Sequence, residues 1–346
     1  MSDVIQKTGA RAAGIVGVGL YVPDRVLTNA DLEKMVDTSD EWIRSRTGIS
    51  ERRLAADGQS TADLAEAAAR RALDDAGLVP SDVNLIIVAT CTPDFYFPST
   101  ASLLQDRLKC SCAAFDLEAA CSGFVYALVV AQQFVASGAA QTVLVVGAEA
   151  MSRVTDWTDR NTCVLFGDGA GAVVVQAVPE GRGLLSFDLG SDGSGSELLK
   201  AEISSHLFLG TSFTAASGDM NKGQGDPCSK SYIAMDGKEV YRFAVNVMGE
   251  SALRALEKSG IPAGEIDLFV PHQANVRIID AAAKRLGLAS ERVFVNVGKY
   301  GNTSAASIPI ALCEARDQGR IKSGDTVVTV GFGAGLTWAS CVMKWV

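Results

Sequence analysis

One order of segments occurs twice along the chain, and this repetition restricts the fold more than any single motif. Residues 84–90 (Asn-Leu-Ile-Ile-Val-Ala-Thr) read as a short buried strand, and residues 113–118 and 142–147 read as two more. Residues 61–76 carry helical periodicity and stop at Gly77, a residue suited to a left-handed cap. Residues 121–137 read as a helix ending at Gly138. Its middle is apolar nearly all round, which places it in the core between layers. In the second half, residues 266–270 resemble 83–87, residues 292–295 read as a short strand, and residues 302–318 read as a helix ending at Gly319. Residues 326–331 repeat the pattern of 142–147. The spacings agree: Leu85 to Cys121 is 36 residues and Leu268 to Asn302 is 34, while Cys121 to Thr142 is 21 and Asn302 to Thr326 is 24. The simplest account is a duplicated α/β unit in layers, with a seam near 178–184 dividing the chain into halves 1–180 and 181–346. The same alignment sets Cys121 and Asn302 in equivalent places, each opening a helix after a strand, so two helix N-termini face one shared site.

Size and composition are compatible with this. A chain of 346 residues that is 48% apolar can build a large core without disulfides or metals. Its longest apolar run, 124–131, is too short to span a bilayer, and residues 1–11 contain no apolar export segment. A net charge of -9 argues against nucleic acid as a partner. The eight cysteines, without an export signal, read as free thiols in a reducing compartment. Cys110 and Cys112 lie two apart with no matching second pair, so no zinc-type spacing is present. Residues 191–235 interrupt the pattern. This stretch is rich in Gly, Ser, Thr and Asn and reads as an insertion, either a lid or partly disordered.

Three polar residues stand where strands give way to helices or loops. Cys121, in Glu118-Ala-Ala-Cys-Ser-Gly123, is flanked by small residues that permit a tight elbow. A thiol at a helix N-terminus is favoured as the thiolate, although a buried inert cysteine is the commoner fate of a lone Cys. Of the two histidines, His206 lies in the irregular stretch without obvious partners. His272 follows a buried strand in Val270-Pro-His-Gln-Ala-Asn275, at the carboxyl end where α/β sites form. Asn302, in Lys299-Tyr-Gly-Asn-Thr-Ser-Ala-Ala-Ser307, serves equally well as a plain helix cap.

Taken together, Cys121, His272 and Asn302 resemble the Cys-His-Asn set of the β-ketoacyl-acyl carrier protein synthase III family, condensing enzymes of the thiolase superfamily. Further motifs in the same order carry the resemblance over almost the whole chain: Asn29-Ala-Asp-Leu-Glu-Lys-Met-Val-Asp-Thr-Ser-Asp-Glu-Trp-Ile43, Arg46-Thr-Gly-Ile49, Phe166-Gly-Asp-Gly-Ala-Gly171, Gly301-Asn-Thr-Ser-Ala-Ala306 and Gly331-Phe-Gly-Ala-Gly-Leu-Thr-Trp338. It implies a thiolase-like αβαβα fold.

The resemblance also implies roles. Cys121 takes an acyl group from acyl-coenzyme A. His272 and Asn302 contact the malonyl thioester and donate to the enolate oxygen left by decarboxylation. The N–H of Cys121 and one from the loop Gly333, Ala334, Gly335 stabilise the second oxyanion. The family often has Gly where this chain has Ala334, whose methyl excludes most left-handed geometries. Trp42 and Arg160 flank the adenine of coenzyme A, Thr38 and Arg46 lie nearby, and Asn275 reaches the pantetheine arm. Phe97 crosses a homodimer interface to close the partner's acyl pocket. Arg277, Lys284 and Arg285 share one helix face, with Arg242 close by, and this basic patch is the expected dock for acidic acyl carrier protein. No cofactor or metal is implied beyond coenzyme A thioesters as substrates, and the expected location is cytoplasmic, with no membrane partner. Degradative thiolases use a second cysteine that Cys341 does not match. The rival readings are a condensing-fold acyltransferase or secondary-metabolite synthase, and a non-catalytic partner subunit.

Overall fold

The computed structural model describes residues 11–201 and 232–346. Its first half runs β1 (Ala13–Tyr21), β2 (Arg25–Thr28), α1 (Asn29–Leu32), α2 (Asp40–Thr47), β3 (Glu51–Leu54), α3 (Thr61–Ala76), β4 (Leu85–Ala89), α4 (Thr100–Leu108), β5 (Ala113–Leu117), α5 (Gly123–Ala136), β6 (Thr142–Ala150) and β7 (Asp168–Ala177). The second half runs β8 (Gly183–Ser191), β9 (Leu199–Ala201), β10 (Ile233–Met235), α6 (Gly237–Ser259), β11 (Leu268–Pro271), α7 (Val276–Arg285), α8 (Val297–Tyr300), α9 (Ser307–Asp317), β12 (Thr326–Gly333) and β13 (Thr337–Lys344).

Local chemistry explains the clearer elements. Ser60 caps α3 through a capping box with Asp63, and Gly77 ends it in the left-handed region. Leu64, Ala65, Ala68, Ala69, Ala72 and Leu73 supply its buried stripe.

The two sheets have the same plan. One has the order β1-β7-β6-β4-β5 and the other β8-β13-β12-β11. In each, the first two neighbouring pairs are antiparallel and the third is parallel. The position matching β5 is filled by Val293, which makes only an isolated parallel bridge to Phe269. The strand expected at 292–295 therefore does not form. Gln273 Oε1 accepts the N–H groups of Asn296 and Val297, which draws the chain out of the sheet and into α8.

Helices α5 and α9 lie between the sheets. Phe124, Leu128, Ile308 and Leu312 pack with Val145 and Val175 of one sheet and with Val327 and Cys341 of the other. α3 and α4 cover the outer face of the first sheet, and α6 and α7 that of the second. The result is the expected αβαβα stack. Burying each large apolar side chain in it contributes about 1.5–3 kcal/mol.

The repeat also corrects the expected register of the site. Each central helix is preceded by a 3-10 turn, Ala120–Ser122 or Ser304–Ala306. The first residue of each turn is left-handed, with φ 44° at Ala120 and 48° at Ser304. Cys121 therefore corresponds to Ala305, and Asn302 corresponds to Glu118. Neither Cys121 nor Asn302 opens its helix: Cys121 sits in the turn ahead of α5, and Asn302 bridges Phe166 five positions before α9.

The stretch 191–235 is more ordered at its ends than expected. Residues Gly193–Leu198 form a 3-10 segment, and β9 pairs antiparallel with β10. Residues 202–231, with His206, lie outside the described residues. Among the described residues no helix is long and apolar enough to cross a membrane, and no group of three His, Cys, Asp or Glu is placed to hold a metal ion.

Candidate active site

The ends of the central strands and the two elbows open into a cavity of about 1130 Å³. Cys121, His272 and Asn302 all line it. Each is at most one tenth exposed, so the chemistry lies below the surface.

Cys121 Sγ donates to Ser304 Oγ at 3.3 Å. Burial pushes its thiol up to about 12, the Ser304 hydroxyl opposes this, and Glu149 and Glu118 add to it. The lowered thiol expected from a helix N-terminus is therefore not found. Cys121 stands on the 3-10 turn ahead of α5, and desolvation is the largest influence on its thiol.

His272 follows β11, and its N–H donates to the Val330 carbonyl at 2.8 Å. Its ring lies edge-on to Phe332, and Nδ1 meets Ser307 Oγ at 2.6 Å. Burial lowers it to about 3, so the imidazole is neutral near neutral pH. Ser307 Oγ also accepts the Gln273 N–H, at 3.4 Å. We assign the Ser307 hydrogen to Nδ1, the arrangement in which His272 carries its own hydrogen on Nε2. Asn302 Oδ1 accepts the Ser304 N–H at 2.9 Å, which leaves the Asn302 amide hydrogens for a ligand. Two neutral donors thus belong to the same cavity as the thiol.

The glycine loop is read more fully from the structure. A Cβ on Gly333 would lie 2.6 Å from the Cys121 nitrogen, so only glycine fits beside the nucleophile's backbone. The left-handed region is occupied at Gly335 (φ 133°) and not at Ala334. Ala334 thus keeps the ordinary backbone that its methyl requires, and the left-handed position falls on the neighbouring glycine. Gly333 and Ala334 line the cavity.

Toward the mouth, two guanidinium groups lie over the Trp42 ring, Arg46 at 5.0 Å and Arg160 at 4.8 Å from its centre. Trp42, Arg46 and Asn275 line the cavity, whereas Thr38 and Arg160 stand outside the lining. Thr38 Oγ1 is buried without a partner. Asn275 is committed locally: its Oδ1 accepts the Arg277 N–H as the cap of α7, and its Nδ2 donates to the Arg46 carbonyl. Arg277 is at the mouth, stacked over Tyr241 at 5.6 Å. Arg242, Lys284 and Arg285 are exposed. Arg242 pairs with Glu239, and Arg285 pairs with Glu250 and lies against Gly249. Phe97 is 86% exposed and does not line its own chain's cavity, while its neighbours Phe95 and Tyr96 do.

Sequence reasoning missed Glu149, Ser304, Ser307 and Cys91. Glu149 had a signal: it is a carboxylate inside the otherwise apolar run of β6.

The comparisons with known proteins agree with this geometry. Residues 115–193 match the family described as 3-oxoacyl-[acyl-carrier-protein (ACP)] synthase III, and residues 256–345 match its C-terminal region. A β-ketoacyl-[acyl-carrier-protein] synthase III from Geobacillus kaustophilus is 52% identical, over 96% of this chain and 99% of the relative. The crystal structure of 3-oxoacyl-[acyl-carrier-protein] synthase III from Aquifex aeolicus VF5 matches with a TM-score of 0.87 and 48% identity, over 96% of this chain and 100% of that one. The priming β-ketosynthase of the R1128 polyketide biosynthetic pathway matches with a TM-score of 0.89 but 35% identity, over 99% of each. The higher identity to the first two favours the condensing enzymes of fatty acid synthesis over the specialised-metabolite reading. On this sequence identity and fold, the chain belongs to the β-ketoacyl-[acyl-carrier-protein] synthase III family of thiolase-fold condensing enzymes.

Proposed function

We propose that the protein starts fatty acid synthesis by moving an acyl group from coenzyme A to Cys121 and condensing it with a malonyl group on acyl carrier protein. The observation that carries the assignment is one buried cavity holding a thiol and two neutral donors, His272 and Asn302. Cys121 Sγ attacks the thioester, and the leaving thiol departs. The malonyl group then loses carbon dioxide. Nε2–H of His272 and the Asn302 amide hold the enolate oxygen, and a neutral imidazole suits this because it keeps a donor without a buried charge. The carbanion attacks the acyl-Cys121 carbon, and the Cys121 N–H beside Gly333 serves the resulting oxyanion.

Trp42, Arg46 and Arg160 form the coenzyme A end. Binding of an adenine opens the Trp42–Arg160 stack and replaces one cation-π face with a base. Arg277, with Arg242, Lys284 and Arg285 around it, receives the acidic carrier protein. Of these, Arg277 lies nearest the chemistry, because it also lines the cavity.

The protein works as a homodimer of two-half chains (1–180 and 181–346). β5 is the outermost strand of its sheet, and the exposed Phe95, Tyr96 and Phe97 stand on the loop that leads into α4. An unpaired edge beside a bare aromatic cluster is a surface that calls for cover. The cytoplasm suits seven free cysteines among the described residues.

The test is the Asn302→Ala protein, followed by mass spectrometry of the acyl-enzyme beside carbon dioxide release. Retained acylation with lost decarboxylation is the expected result. A folded variant that cannot be acylated would place Asn302 on Cys121 instead.

A further inference from the structure

Glu149 is wholly buried at the end of β6, where burial raises its carboxyl above the ordinary carboxylate range. It accepts from Thr92 Oγ1 at 2.5 Å, from Thr90 Oγ1 and the Cys91 N–H at 3.2 Å, and from the Ala305 N–H at 3.4 Å. It also accepts from Ser304 Oγ at 3.0 Å. An ionised carboxylate can only accept, so the Ser304 hydrogen points to Glu149 and the Ser304 lone pair takes the Cys121 S–H. The order Cys121, Ser304, Glu149 is therefore continuous and points one way. Ser304 is held for this by its left-handed backbone and by Asn302, which accepts its N–H. A non-glycine residue at positive φ costs about 1–3 kcal/mol and persists where its surroundings hold it.

We propose that Glu149 draws the thiol proton of Cys121 through the Ser304 hydroxyl as Cys121 attacks the thioester. The S–H bond breaks and its proton goes to Ser304 Oγ, while the Ser304 proton goes to Glu149 Oε1. The negative charge moves from Glu149 to Sγ. The bond from Sγ to the acyl carbon forms, and the bond from that carbon to the leaving sulfur breaks. The leaving thiolate then takes the proton held on Glu149 through the same hydroxyl or through solvent.

The electrostatics favour this exchange over plain ionisation. Removing the thiol proton to bulk water puts a second anion beside Glu149 in a desolvated site, which is costly. Passing it to Glu149 keeps one buried negative charge throughout. The other ionisable groups around this pair are Cys91, Glu118 and His272. The Cys91 thiol donates to Glu149 at 3.3 Å and faces Ser304 Oγ at 3.6 Å. Glu118 accepts from the Ala120 N–H, and neutral His272 lines the same cavity. Glu149 touches no substrate and acts only through Ser304, so it is a positioning residue.

The inference rests on Cys121 as the nucleophile. Its test is separate, because alkylation by iodoacetamide needs no acyl donor. The full chain is alkylated across a pH series, and modification at Cys121 is followed by peptide mass spectrometry. An internal proton exchange makes the native rate nearly independent of pH around neutrality. Glu149→Gln and Ser304→Ala should each slow alkylation near neutral pH ~10²-fold and restore a rise of about tenfold per pH unit. If Glu149 is only a structural anchor, the sign reverses: Glu149→Gln removes a repelling charge and alkylates as fast as the native protein or faster. That result, in a folded variant, overturns the proposal. Should Glu149→Gln fail to fold, Ser304→Ala decides alone, and a native rate and profile in it overturns the relay. Absence of an acyl-enzyme in the mass spectrum would overturn the proposed function and leave this result standing.

Discussion

Replacing Gly333 with alanine tests how tightly the nucleophile's backbone is held. The new Cβ would stand 2.6 Å from the Cys121 nitrogen and 2.8 Å from the Ala120 Cβ. A contact of 3.0 Å is already close to the limit, so the Cys121 peptide must withdraw by at least about 0.4 Å. No rotamer can relieve it, because both atoms belong to or adjoin the backbone. Ala120 cannot give way easily, since it is already left-handed at φ 44°. Overpacking of this kind costs about 1–3 kcal/mol of stability, which a core of this size tolerates. The functional loss should be larger in effect. In the mechanism proposed above, the Cys121 N–H serves the oxyanion that forms on the acyl carbon bound to Cys121, and losing such a donor lowers rates ~10²–10³-fold. Self-acylation from acyl-coenzyme A and formation of the condensed product should both be measured on Gly333→Ala beside Ala334→Gly. The first should lose both activities by about 10²-fold or more while remaining folded, and the second should stay within about threefold of native, because Ala334 is not left-handed. A folded Gly333→Ala protein that acylates at the native rate would refute this account of the oxyanion site.

Four further outcomes follow from the same geometry. Cys121→Ser should lose most acylation, read by mass spectrometry of the acyl-enzyme, because a hydroxyl without a strong base is a poor nucleophile. Phe97→Ala should change acyl-chain preference in competition assays while malonyl decarboxylation persists; a fully active monomer in sedimentation would end the cross-interface reading. Charge reversal at Arg277 should weaken use of malonyl-carrier protein and its salt dependence, with little change in self-acylation. His272 titrates at about 3 when folded and near 6.5 when unfolded, so below 6.5 the unfolded state binds the extra proton. Stability from this residue is therefore complete above that pH and falls by about 1.4 kcal/mol per unit as pH drops toward 3. Urea unfolding of His272→Gln should lack this part of the acid sensitivity.

Periodicity and spacing alone determined a good deal. The α/β class, the duplicated order and the helix of residues 61–76 with its Gly77 stop depend on local pattern and caps, which a sequence displays directly. The Cys-His-Asn set was legible through its resemblance to a family, carried by Cys121, His272 and Asn302 together with the motifs around them; singly, each of these residues had a bland reading. What only the tertiary structure decided were quantities set by neighbours distant in sequence. The strand expected at 292–295 lost its ladder to Gln273, a side chain about twenty residues earlier. Burial raises the Cys121 thiol, and Ser304, 183 positions away, opposes that shift; neither is visible in the local sequence. Glu149 joined the site because the strand bearing it runs beside β4 and ends against the opposite elbow. Local pattern carries fold class, since hydrophobic period and caps act over a few residues. The state of each proton in the site depends on desolvation and on partners that meet only when both halves have packed.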